Sequence, residues 1–112
     1  MTNNISLAVV VVSYNSKTYL ELCLASIVSQ INLDSDRVYV IDNHPTDGSV
    51  EMVRQKFPQI NVIVNPQNMG FAYACNQAWR TSRSDLIMFV NGDTIFTPQT
   101  CEKIKQKMSP MQ

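Results

Sequence analysis

The sequence has no excess of charge of either sign: nine Lys and Arg balance nine Asp and Glu over 112 residues. A phosphate backbone calls for a basic surface, so nucleic acid is excluded as the main partner, and a polybasic membrane anchor with it. Long apolar runs are missing too. The longest, residues 7–12, is far too short to cross a bilayer, so no transmembrane segment is expected. The opening MTNNIS has no charged residue, and no secretory leader is expected. Histidine occurs once, at His44, with no HxH, HExxH or Cys/His cluster to hold zinc. Cys23, Cys75 and Cys101 form no CxxC pair and read as reduced, structural thiols of a cytosolic protein. Glycine-rich phosphate loops are absent: there is no GxGxxG and no GxxxxGK[ST]. That excludes the dinucleotide fingerprint and the P-loop NTPases. The first turn, Ser13-Tyr14-Asn15-Ser16-Lys17, has no glycine at all. The charge of any bound phosphate must therefore be met elsewhere, best by a divalent cation beside Asp93.

What is present is a regular alternation. At 45% apolar the chain is too rich for a disordered segment, and its length predicts one domain, residues 1–112. The β-branched run 7–12 reads as a strand covered on both faces. Leu20, Cys23, Leu24, Ile27, Val28 and Ile31 then fall on one helical stripe. Residues 38–41 predict a second strand. Val50, Val53 and Phe57 mark a short helix stopped by Pro58. Residues 60–64 predict a third strand, and Phe71, Ala74, Cys75, Ala78 and Trp79 a helix whose side chains read mainly as core. Residues 86–90 predict a fourth strand. Thr97-Pro98 reads as the cap and first position of a last helix bearing Cys101, Ile104 and Met108. Its Lys103, Lys105 and Lys107 read as a solvated face near the helix C-terminus. Asp47, before Gly48-Ser49, reads as a helix cap and not as a ligand.

Buried strands alternating with helices predict an α/β fold, a parallel sheet with helices on both faces. Ligands of such sheets sit at the carboxyl ends of the strands. There the sequence places Ser13, Tyr14 and Asn15, then Asp42 and Asn43, then Asn65 and Asn68, then Asn91 and Asp93.

Four strings carry a resemblance: VVVVSYNSKTYLELCLASIVSQ, VYVIDNHPTDGSVEMV, NPQNMGFAYACNQAW and LIMFVNGDTIFTP. In this order and spacing they resemble family 2 glycosyltransferases of the GT-A fold. Asn68-Met69-Gly70-Phe71-Ala72 followed by Asn76 is most similar to the rhamnosyltransferase-like subgroup. The resemblance implies a Rossmann-like three-layer α/β/α sandwich with a mostly parallel sheet. It also implies transfer of a sugar from a nucleotide-diphosphate sugar, dTDP-rhamnose or a UDP-sugar, to a glycan or lipid-linked acceptor. Val12, Ser13, Tyr14 and Asn15 would lie near the nucleoside. Asp42 and Asn43 match an acidic pair near base and ribose, with Asn in the second place. Asn68, Gly70 and Phe71 would border the nucleotide, Gly70 by allowing close backbone approach. Asn91, Gly92 and Asp93 stand where the DxD motif does, so Asp93 would be the sole carboxylate on Mg²⁺ or Mn²⁺. The resemblance further implies a cytoplasmic protein, peripheral at the inner face of the membrane.

In that family the acceptor half and the catalytic base lie further along. The chain is therefore expected to be the donor-binding portion, its base beyond residue 112 and its activity alone weak or nil. The alternative is a truncated, non-catalytic nucleotide-binding or protein-interaction module. Apolar surface left uncovered by truncation is expected to favour self-association.

Overall fold

In a computed structural model the described residues are 5–32, 34–43 and 46–108. His44 lies outside them. The elements are β1 (Leu7–Ser13), α1 (Lys17–Val28), β2 (Arg37–Asn43), α2 (Ser49–Lys56), β3 (Asn61–Asn65), α3 (Phe71–Thr81), β4 (Leu86–Asn91) and α4 (Thr100–Met108). The four strands form one sheet in the order β3-β2-β1-β4, with every pair parallel. The alternation read from the sequence is thus the architecture found.

β1 is central and every one of its residues is buried, which is why it is a β-branched run without polar alternation. Its odd-numbered apolar side chains, Leu7, Val9 and Val11, pack with Leu20, Leu24 and Ile27 of α1, Val53 of α2 and Cys101 of α4. Its even-numbered ones, Ala8, Val10 and Val12, pack with Ala74 and Ala78 of α3. α3 lies mainly over β1 and β2, and the same face of β4 is less well covered: Ile87 is only partly buried against this cluster and Phe89 is exposed.

That asymmetry corrects one expectation. Trp79 and Phe71 are not core: Trp79 is 63% exposed and Phe71 46%. Only Ala74 and Ala78 of their stripe are buried, with Cys75 partly so. Trp79 instead shares a shallow recess with Ile87 and Phe89 of β4.

Two further expectations shift at α4. The helix begins at Thr100, not at Pro98, because Gln99 takes a left-handed φ of 67° that interrupts the chain between them. The first turn is capped from outside: Gln30 Oε1 accepts the Cys101 amide at 3.1 Å, and Gln30 Nε2 donates to the Thr97 carbonyl at 2.6 Å. Lys105 is not solvated. Its Nζ lies 2.9 Å from both oxygens of Asp36, which is 1% exposed and also accepts the Leu7 amide at 2.9 Å. α4 is thereby pinned to the entry of the central sheet. Among the described residues no helix is long and apolar enough to cross a membrane.

Candidate functional site

Because all four strands run the same way, their carboxyl ends share one rim, and each ends in a polar residue: Ser13, Asn43, Asn65 and Asn91. A cleft of about 330 Å³ opens there, lined by Val12, Ser13, Tyr14, Ser16, Asn43, Asn68, Gly70, Phe71, Asn91, Gly92 and Asp93. Of the residues expected at this rim, all but Asn15, Asp42 and Asn65 line it. Ser16 was not foreseen. It precedes α1, and its hydroxyl donates to the Tyr14 carbonyl at 2.9 Å.

Asn15 has a φ of 48°, which a short amide side chain tolerates. Its Oδ1 accepts from the Thr46 amide at 3.1 Å and the Thr46 hydroxyl at 3.0 Å. It ties the β1–α1 turn to the β2–α2 loop. Asp42 is fully buried behind the cleft, paired in register with Ser13. Ser49 Oγ donates a short hydrogen bond to its Oδ2, whereas its Oδ1 and the Ser13 hydroxyl are both buried without a partner. Burial pushes the Asp42 carboxyl above its ordinary value; the Ser49 bond opposes this, and the nearby Asp47 and Glu51 charges add to it. Two register-paired residues each thus leave a buried polar atom without a partner, which is uncommon in a folded interior.

Asp47 serves both neighbouring helices. Its Oδ2 accepts the Lys17 amide at 2.9 Å, at the start of α1, and its Oδ1 accepts the Ser49 amide at 3.1 Å, at the start of α2. Slight burial raises its carboxyl, but the hydrogen bonds from Ser49 and from the amides outweigh it and hold the group below the ordinary value.

The other wall is the segment 68–71. Asn68 Oδ1 accepts the Gly70 amide at 2.9 Å, closing a tight turn. Gly70 has φ +87° and ψ 162°, a region that only glycine occupies readily. No protein atom comes within 4 Å of where its Cβ would stand. The turn geometry, not crowding by the protein, requires this glycine. Gly92 is the opposite case. A Cβ there would meet Ser13 Cβ at 3.3 Å, because the Gly92 amide continues the ladder onto the Val12 carbonyl at 2.9 Å.

Among the described residues that line the cleft, Asp93 is the only charged one. It stands exposed in the turn closed by the Thr94 amide on the Asn91 carbonyl at 3.1 Å. Its charge lies close enough to the buried Cys23 to reinforce burial in pushing that thiol up to about 11. No three His, Cys, Asp or Glu side chains among the described residues gather into a metal cage. One exposed carboxylate fits a hard cation only if phosphate oxygens and water complete its shell.

The profile of glycosyl transferase family 2 matches residues 8–110. The chain belongs to that family. An uncharacterized glycosyltransferase of Haemophilus influenzae is 33% identical over 100 residues, which cover 89% of this chain and 33% of that protein. An N-acetylglucosaminyltransferase of Mesorhizobium japonicum is 34% identical, covering 92% of this chain and 26% of that one. Among solved structures, the mannosyltransferase PcManGT from Pyrobaculum calidifontis, in complex with GDP-Man and Mn²⁺, superposes with a TM-score of 0.81. It is 25% identical, over 93% of this chain and 32% of that one. The chain thus spans about a third or less of the length of these family 2 relatives.

Proposed function

We propose that the cleft holds a nucleotide-diphosphate sugar, and that the chain is the donor-binding portion of a transferase that passes the sugar to a hydroxyl of a glycan or lipid-linked acceptor. The observation that carries this reading is the charge of the cleft. A diphosphate brings negative charge, yet no Lys or Arg is among the described residues lining the site. Asp93 would hold a divalent cation, Mg²⁺ or Mn²⁺, which would supply the positive charge that neutralises a leaving nucleoside diphosphate. The neighbouring mannosyltransferase complex with Mn²⁺ supports the same assignment.

The remaining roles follow from placement. Tyr14 and Phe71, both half exposed on the cleft wall, offer ring faces to the nucleoside. Val12, Ser13 and Ser16 form its floor, and the orphaned Ser13 hydroxyl gains a partner when the nucleoside binds. Asn43 borders base and ribose from the wall, and Asp42 from behind it. α3 opens on Gly70 with no side chain capping it, so its first amides face the diphosphate. Asn91 and Gly92 set the height of Asp93. The 68–72 segment favours dTDP-rhamnose or a UDP-sugar as donor. Residues 1–112 act as one domain, working in the cytoplasm at the inner face of the membrane.

Calorimetric titration with UDP, dTDP, GDP and ADP in Mn²⁺ tests the reading. UDP or dTDP is expected to bind at least tenfold tighter than ADP. Equal, weak heats from all four would refute a nucleotide site.

A further inference from the structure

The 68–70 turn is held by a chain of three neutral side-chain amides that begins outside the cleft. Gln77, on the inner face of α3, pairs with Asn65 through two hydrogen bonds of 2.9 Å each, one in either direction. Asn65 is the last residue of β3, 4% exposed, and its Nδ2 also donates to Asn43 Oδ1 at 2.8 Å. Asn43 is its register partner at the end of β2 and is 2% exposed. Asn43 Oδ1 also accepts the Met69 amide at 3.5 Å, and its Nδ2 donates to the Gly70 carbonyl at 3.4 Å. Every amide group in the chain is used in the sense that only an amide allows. Asn43 must accept from Asn65 and Met69 and at the same time donate to Gly70, which a carboxylate cannot do.

We propose that Gln77 and Asn65 are positioning residues for the donor site, acting through Asn43 to fix the turn that forms its wall. Neither Gln77 nor Asn65 lines the cleft. The network also accounts for an amide at position 43, where the family resemblance leads one to expect a second acid: the neutral side chain serves the loop carbonyl first. Buried polar networks of this kind specify one geometry when every member is satisfied and become disruptive when one is lost. The inference rests on the donor-cleft reading for its effect on binding, but not for its effect on the turn.

The test uses the chain with Gln77→Leu, and with Gln77→Glu as the milder change that keeps the acceptor and loses the donor. Two quantities are read: the Kd for UDP or dTDP with Mn²⁺, and hydrogen exchange of the Met69 and Gly70 amides. The expected result is a five- to tenfold weaker Kd and at least tenfold faster exchange at those amides, with exchange in β1 unchanged. If Gln77→Leu does not fold, Gln77→Glu carries the test with a smaller change in the same direction. Unchanged Kd and unchanged exchange in a folded variant overturn the proposal. If the wild-type chain binds no nucleotide, the donor reading falls by itself. The network is then judged by exchange alone: faster exchange at Met69 and Gly70 upholds it, and unchanged exchange overturns it.

Discussion

At the scale of single residues, the molecule holds a buried carboxylate that it could lose with profit to its stability. Asp42 is fully buried with one oxygen unpaired. Its proton is held to higher pH in the folded chain than in the unfolded one, so its contribution to stability falls as pH rises above the ordinary value of 3.8. Asp42→Asn keeps the acceptor for Ser49 and removes the buried charge. Thermal melts are expected to show the variant more stable than wild type at pH 7, with the difference shrinking toward pH 4. A lower melting temperature at pH 7 would contradict the assignment. Gly70→Ala should act through its φ of +87°, at a cost of about 1–3 kcal/mol read from urea denaturation. Much of this scale was legible in the sequence. Strand ends bearing Ser13, Asn43, Asn91 and Asp93 must meet at one rim once the strands are parallel. Ser16 stood in the glycine-free first turn, but neither its residue type nor its spacing marked it as lining the cleft. The positive φ of Gly70 was not legible, because backbone φ is not written in a residue name.

Among the elements, the helix termini decide how the rim is held. Asp47 accepts the first amides of two helices, so its stabilisation is present above pH 3.8 and is lost as pH falls below it. Asp47→Ala should cost about 1 kcal/mol at neutral pH, as removal of a helix cap does, and the loss should fade in acid. α4 shows where periodicity stops being informative. Cys101 is buried as its stripe implied, yet the helix start and the role of Lys105 depend on Gln30 and Asp36, about 70 residues away in sequence. Lys105→Met leaves Asp36 buried without its cation and should cost about 3 kcal/mol in urea unfolding. Lys103→Met, on an exposed position of the same helix, should change little.

Viewed whole, the sheet of the described residues has one thinly covered edge. β4 is an edge strand, residues 86–91 carry no charge, and Phe89, Trp79 and Ile95 are exposed beside or beyond it. Charged side chains are the usual protection of such an edge, and here the strand has none. We expect concentration-dependent sedimentation of the chain, shifted toward monomer by Phe89→Lys. A single monomer boundary at high concentration would contradict this. The parallel sheet with helices on both faces was readable from β-branched runs and helical stripes, but its strand order was not. The exposure of Trp79 was not, since it depends on which strands α3 covers.

The proposed donor site rests on one carboxylate, Asp93, and one cation. The direct measurement is the melting temperature of wild type and Asp93→Ala with UDP or dTDP, each with and without Mn²⁺. A ligand at one hundred times its Kd stabilises the fold by about 2.7 kcal/mol, a rise on the order of 10 °C for a chain of this size. That rise is expected only when nucleotide and Mn²⁺ are both present, and is expected to be lost in Asp93→Ala. A rise that is independent of Mn²⁺, or unchanged in Asp93→Ala, would contradict the proposed site.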